Sequence, residues 1–313
     1  MSQRFVVVYS GRYVKWGIEF VATGLAATLK LLGYDVVLTQ FDAKGERFPI
    51  DQYRDNDIVI MVYNQTMTTM ASKNYRPPIG KLVLYNFEPT CVNNVDDYIR
   101  RWYEDKYVRS IEAYGVKPDL VLDFCPGGDI WHDKVGIKSV WLPLGYSEAF
   151  EIRNTSAKPK YDISFLGKIR TSKRRESIVN GALKNMPINY MKVAMHYDHN
   201  LIYKKIAIMM NAPIWLNIHR QGTIKDFADI RVIAYGMCNK CCVVTEESVW
   251  SPPFVDGIHW VKVDKDDGMR DDINRLLADN EKRNRIGENG YSFVKKHWNY
   301  AIHVERVISD ILE

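Results

Sequence analysis

Two stretches of this chain carry residues of the right types and spacing to hold an anion. The first is Phe165-Leu166-Gly167-Lys168-Ile169-Arg170-Thr171-Ser172-Lys173-Arg174-Arg175, an apolar run followed by a glycine and a cluster of cations. A glycine at a strand end lets the backbone turn tightly and approach a ligand. A helix that begins there offers N–H groups that already attract anions. Arg170 and Arg174 stand four residues apart on one helical face, so two guanidinium forks can converge on a diphosphate, with Lys168 beside them. Cations at a helix start oppose the helix dipole, which favours a functional reason over a merely solvated helix end.

The second stretch runs from Ile214 to Glu247. Apolar Ile214-Trp215-Leu216 ends in the polar cluster Asn217-Ile218-His219-Arg220, and a helix-like segment carrying Arg231 follows. A second apolar run, Cys241-Cys242-Val243-Val244, then ends in Thr245-Glu246-Glu247. Strand, polar tip, helix, strand and acidic tip form a βαβ unit, and open α/β sheets bind ligands at the carboxyl ends of their strands. Arg231 lies in apolar Ile230-Arg231-Val232-Ile233-Ala234 and therefore needs a partner, either Asp226 or Asp229 or a ligand phosphate. With His219 and Arg220 one strand away, the ligand is favoured.

Other patterns carry less. Glu88, in Leu84-Tyr85-Asn86-Phe87-Glu88-Pro89, follows a strand-like run that Pro89 ends. Its carboxylate either is solvated or, if burial raises its pKa, acts as a general base. Gly11 and Gly17 bracket a loop containing Trp16 after the first strand; the loop shapes a cleft or simply turns the chain. Neither GxGxxG nor a Walker A pattern occurs. Cys238, Cys241 and Cys242 lack the second pair that zinc spacing requires, and the last two belong to an apolar strand. Asp264-Lys265-Asp266-Asp267 resembles a DxD metal motif but reads better as a turn and cap before a helix at Met269. No metal site is expected.

These residues need a scaffold, and the apolar pattern supplies one. Strands are expected at Phe5–Tyr9, Asp35–Thr39, Asp57–Val62, Lys81–Tyr85, Leu120–Phe124 and Ser139–Leu142. A second series follows at Tyr161–Leu166, Asn189–Val193, Pro213–Ile218, Cys241–Thr245 and His259–Val263. Helices are expected over 17–32, 95–114, 271–277, 281–297 and 299–312, with apolar residues spaced as in Phe20, Leu25 and Leu29. The alternation predicts parallel sheets covered by helices. Aperiodic Ser147–Lys160 reads as a linker between two α/β halves, with a ligand cleft between them.

Length and composition agree. The 313 residues, 46% of them hydrophobic and 26% charged, suffice for two cores and disfavour disorder. A net charge of +5 suits phosphate ligands without requiring them. The apolar runs are strand-sized, so no membrane span is expected, and Met1-Ser2-Gln3-Arg4 runs straight into a strand without a signal peptide. Five scattered cysteines point to a reducing compartment, so a cytoplasmic location is expected.

From about Asp162 to His303 the chain resembles the C-terminal domain of the GT-B glycosyltransferases, particularly the group-1 and CgeB-like type. The resemblance rests on Leu216–Arg220, the helix from Arg231 to Met237, and Cys242–Glu246. It continues through Asp256-Gly257-Ile258-His259-Trp260, Asp271–Leu277, Ala278–Arg283 and Gly290-Tyr291. It implies that this domain binds a nucleotide sugar and that Gly167, Lys168, Arg170, Arg174 and Arg231 hold the diphosphate. More distantly, Gly167, Arg170, Arg174 and Arg231 resemble a pattern in the phage DNA β-glucosyltransferases, whose catalytic aspartate falls on Glu88. The chain departs from the group-1 pattern where Ala234 replaces the ribose-binding glutamate one turn after the arginine. It departs again where Asn239 replaces a glycine, and the acid pair of retaining members would be Asp226 and Ala234. Ribose binding then falls to another group, Glu246 or Glu247.

The resulting expectation is a GT-B fold: two Rossmann-like domains facing across a cleft, with a C-terminal helix crossing back. Residues 1–150 form the acceptor domain, 151–298 the donor domain and 299–313 the returning helix. The expected activity is transfer of a sugar from a UDP- or GDP-sugar to a glycan or other acceptor hydroxyl, inverting, metal-independent and without a cofactor. Donor contacts are Gly167, Lys168, Arg170, Arg174, Asn217, His219, Arg220, Arg231, Glu246 and Glu247, with Glu88 as base and Gly11, Trp16 and Gly17 shaping the cleft. The alternatives are transfer to DNA bases, which is not favoured, and a non-catalytic nucleotide-sugar-binding module.

Overall fold

The computed structural model describes residues 3–10, 17–41, 53–71, 80–86, 108–124, 126, 136–152, 159, 161–167, 169, 172–186, 188–190, 207–219, 230–248, 250–263 and 268–313. They form two units, Met1–Leu144 with Tyr300–Glu313, and Gly145–Asn299.

The first unit is a six-stranded parallel sheet in the order β2-β1-β3-β4-β5-β6. Its strands are β1 (Arg4–Ser10), β2 (Asp35–Phe41), β3 (Ile58–Val62), β4 (Lys81–Asn86), β5 (Leu120–Asp123) and β6 (Ser139–Trp141). Strands β1 and β3 are buried throughout, which is why they read as continuous apolar runs rather than alternating ones. On one face Val6, Val8, Val59, Met61, Leu82, Leu84 and Val121 pack with Met67 and Met70 of α2 (Asn64–Ala71) and with Tyr114. Helix α1 (Ile18–Leu31) packs on β1 and β2 and starts at Gly17, whose φ of 84° is a left-handed conformation that costs glycine little. The C-terminal helix, named α6 below, belongs to this unit: Tyr300 donates to the Tyr85 hydroxyl at 2.9 Å, and Lys81 Nζ donates to the Asp310 carbonyl at 3.1 Å.

The second unit is a five-stranded parallel sheet in the order β11-β10-β9-β7-β8. Its strands are β7 (Ile163–Phe165), β8 (Ile188–Tyr190), β9 (Ile214–Asn217), β10 (Cys242–Glu246) and β11 (Val261–Val263). Helix α3 (Lys173–Ser177) continues as the π-helical turn Ile178–Ala182. After the sheet come α4 (Gly268–Ala278), α5 (Asn280–His297) and α6 (Tyr300–Leu312). One sheet face, with Ile163, Phe165, Ile214, Leu216, Cys242 and Val244, shares a core with Ile178, Ile273, Leu276 and Ile286. The other face meets the π-helical segment Ile230–Gly236, where Trp215 and Tyr235 stand 5.7 Å apart. A Cβ at Gly236 would lie 2.5 Å from Val243 Cγ2, so only glycine lets this helix come so close. Strand order reverses between β7 and β9, and the crevice beyond their carboxyl ends is where such sheets take ligands.

Each expected strand has a counterpart, some longer and some shorter at their ends, because apolar runs and the hydrogen-bonded ladder need not coincide; the expected end of Asn189–Val193 lies outside the described residues. The start of the aperiodic stretch after Tyr146 is fixed rather than loose. Ser147 caps a 3-10 turn at Glu148–Phe150, and Phe150 is fully buried. Asn239 pins this turn: its amide donates to the carbonyls of Phe150 and Ala234, both at 2.9 Å, and its Oδ1 accepts the Ile152 N–H, also at 2.9 Å. No glycine could make these bonds. Replacing Asn239 with Ala leaves the Ile152 N–H without this acceptor and removes three carbonyl contacts, counting that to Tyr235. We expect Asn239→Ala to lower unfolding free energy by about 2–3 kcal/mol in urea titrations followed by tryptophan fluorescence; an unchanged midpoint would contradict this role.

Candidate functional site

Strand β9 ends at Asn217, and the next two peptides carry the site. The Ile218 carbonyl accepts from Arg175 Nε at 3.0 Å and from Arg231 Nη1 at 3.2 Å. The His219 carbonyl accepts from Arg174 Nη1 at 3.2 Å. Arg174 also grips Glu246, through Nη1 to Oε2 at 3.1 Å and through Nη2 to Oε1. Glu246 Oε2 further accepts the His219 N–H. Three arginines from two helices therefore meet the ends of β9 and β10.

Local sequence explains the convergence. Ser172 caps α3, its hydroxyl accepting the Arg175 N–H at 3.2 Å, so α3 begins at Lys173 and brings Arg174 and Arg175 to the strand ends. Gly167 makes room: a Cβ there would stand 2.7 Å from Phe165 Cζ and 3.3 Å from Arg175 Nη1. The Arg175 guanidinium lies over the Phe165 ring, 5.4 Å from its centre. Gly236 gives the corresponding close approach on the opposite face, for the helix that carries Arg231.

Arg231 is half-buried, and among the described residues it makes one hydrogen bond and no ion pair, although a guanidinium has five donors. Burial pushes its pKa down to about 10, against the pull of Glu246 and Tyr235, so it stays charged at neutral pH. His219 is 4% exposed. Burial first, then Arg231, pushes its pKa down to about 3, while the Glu247 carbonyl pulls the other way; Arg174 and Arg175 push it down further. The ring is therefore neutral, and because a carbonyl only accepts, Nε2 carries the proton it donates to the Glu247 carbonyl at 3.1 Å. Among the described residues the Glu246 carboxylate pairs with Arg174, while the Glu247 carboxylate turns to Lys262 at 3.3 Å. Three guanidiniums gathered at the strand ends suit an anionic ligand.

Gly167, Arg174, Asn217, His219, Arg231 and Glu246 are brought together here, with Glu247 at the rim. Asn217 donates to Thr245 Oγ1 at 2.9 Å, while its Oδ1 is buried with no hydrogen-bond partner among the described residues. Lys168, Arg170, Arg220, Asp226, Asp229, Glu88, Gly11, Trp16 and Asp264–Asp267 lie outside the described residues. Gly17 begins α1 in the first unit. Cys238, Cys241 and Cys242 are buried free thiols, and burial raises the Cys242 pKa to about 12. Among the described residues no three His, Cys, Asp or Glu side chains gather as a metal site, and no helix is long and apolar enough to cross a membrane. The basic run concealed one member of the site: Arg175 is 6% exposed and touches the same carbonyl as Arg231. The capping serine three residues before it was the available signal.

The sequence profile of a family described as glycosyl transferase-like matches residues 153–309. No curated protein matches the chain. Among solved structures, Anabaena HepE in complex with UDP and glucose is similar over 100% of both chains, at 10% identity and a TM-score of 0.58. Sucrose-phosphate synthase from Thermosynechococcus elongatus is similar over 99% of both chains, at 10% identity and a TM-score of 0.61. T4 phage BGT in complex with UDP-glucose is similar over 99% of this chain and 100% of its own, at 14% identity and a TM-score of 0.57.

The buried neutral histidine has a consequence for stability. Between pH 6.5 and about 3 the unfolded chain binds a proton at His219 that the folded chain refuses, so stability falls as pH drops through this window. His303 on α6, also pushed down to about 3, chiefly by burial, adds to the same slope. We expect thermal midpoints measured from pH 7 to pH 4 to fall, and to fall less steeply in His219→Gln. An identical slope in the variant would contradict the buried neutral state.

Proposed function

The chain belongs to the glycosyl transferase-like family and has the two-domain GT-B fold, and on that footing we propose that it transfers a sugar from a nucleoside diphosphate sugar to an acceptor hydroxyl, with inversion and without a metal. The observation that carries this reading is Arg231, a half-buried cation with one hydrogen bond among the described residues, standing beside two further arginines at the point where strand order reverses. A diphosphate supplies the charge and the acceptor oxygens such a group lacks.

In this reading Arg231 and Arg174, joined by Lys168 and Arg170, which follow β7 in sequence, hold the diphosphate of a UDP- or GDP-sugar. Negative charge grows on the leaving diphosphate as the glycosidic bond breaks. Donors already aimed at it stabilise that charge without reorganisation. Cationic side chains thus do what a divalent ion does elsewhere, which supports metal independence. Glu88 deprotonates the acceptor hydroxyl, which attacks the anomeric carbon from the face opposite the leaving group. Ala234 leaves the ribose hydroxyls to an acid on β10. Glu247 is the better placed, because its carboxylate is half-exposed and its ion pair with Lys262 is a weak surface contact. Glu246 is already committed to Arg174 and the His219 N–H. Asn239 no longer argues for a module that has lost catalysis, since its side chain has a structural task. The acceptor is a glycan or another hydroxyl compound, and the protein works in the cytoplasm.

Incubation with UDP- and GDP-sugars should release the nucleoside diphosphate, and chelation should leave the rate unchanged. T4 phage BGT has been seen with UDP and Mn2+, so a rate that depends on added Mn2+ would overturn metal independence alone. Arg231→Ala should weaken nucleoside diphosphate binding by roughly tenfold or more in calorimetry; unchanged affinity would remove Arg231 from the site.

A further inference from the structure

Arg175 fits none of the roles assigned so far. It is a buried arginine beside the site, and its Nε donates not to a carboxylate but to the Ile218 carbonyl, 3.0 Å away. The same oxygen accepts from Arg231 Nη1 at 3.2 Å. A carbonyl oxygen has two lone pairs, so these two guanidiniums saturate it and the position of each constrains the other.

The two arginines differ in how they are held. Arg175 is fixed on several sides. Its backbone N–H is tied to the Ser172 cap, its guanidinium lies over the Phe165 ring, and its Nη1 reaches to where Gly167 has no side chain. Arg231 is half-buried and has only the Ile218 carbonyl among the described residues. The rigid partner therefore sets the shared acceptor, and the shared acceptor sets the other partner. Two like charges at one oxygen also repel, so the pair gains most when an anion arrives between Arg231 and solvent.

We propose that Arg175 is a positioning residue for Arg231: by fixing the Ile218 carbonyl, it determines the direction in which Arg231 presents its remaining donors to the diphosphate. This rests on the donor reading of the site. A lysine at 175 keeps the charge but loses the Nε donor and the flat group that covers Phe165, so it does not replace the arginine.

A double-mutant cycle tests the coupling, using calorimetric affinities for UDP and for inorganic pyrophosphate with Arg175→Lys, Arg231→Met and the pair. Arg175→Lys should weaken both ligands by roughly tenfold, and should change affinity by less than about twofold once Arg231 is already Met. Phe165→Leu, which loosens Arg175 from its other side while keeping its charge, should weaken both ligands in the same direction and lose its effect in the same background. It also serves if Arg175→Lys does not fold. Equal losses with and without Arg231, or no loss at all, overturn the positioning role while leaving the donor site standing. Failure of the wild-type chain to bind either ligand overturns the donor reading and the positioning role together.

Discussion

A guanidinium gives up its water only where the protein or a ligand replaces it. That constraint organises the second unit, because three arginines gather at the peptides after β9, where Glu246 pairs with Arg174. Peptide carbonyls of Ile218 and His219 take part of the load as acceptors, but they carry no net charge. Glu246 balances one cation and is held by a backbone N–H as well. In the proposed reading a bound diphosphate supplies the further negative charge at the crevice between β7 and β9.

The sheet makes the constraint possible. Parallel strands covered on both faces end their apolar runs at one edge, so polar residues that follow β7, β9 and β10 are neighbours despite their separation in sequence. Close helix approach completes the arrangement. Gly167 leaves room for Phe165 and the Arg175 guanidinium, and Gly236 lets the Arg231 helix approach Val243.

Much of this was legible in the sequence. The strands announced themselves as apolar runs because burial on both faces removes alternation, and only their ends shifted. Arg231 stood out because a cation in an apolar helix has few ways to be satisfied. Arg175 did not, since a run of lysines and arginines gives no sign of which member turns inward; that depends on the Ser172 cap and on the space left at Gly167. Asn239 read as a departure from a family glycine, and its meaning emerged only with the turn at Phe150 that it holds from a distance in sequence. Glu246 looked available as an acid at a strand tip, but its geometry commits it to Arg174. Sequence patterns locate elements well and locate side-chain partners poorly, because partners are chosen by tertiary contact.

The most direct test of the account is a crystal structure of the full chain grown with UDP. The account predicts the diphosphate at the carboxyl ends of β7 and β9, with an oxygen within about 3 Å of a second Arg231 donor and with the Arg175 contact to the Ile218 carbonyl retained. A nucleotide bound elsewhere, or one whose phosphates leave Arg231 uncontacted, would contradict it.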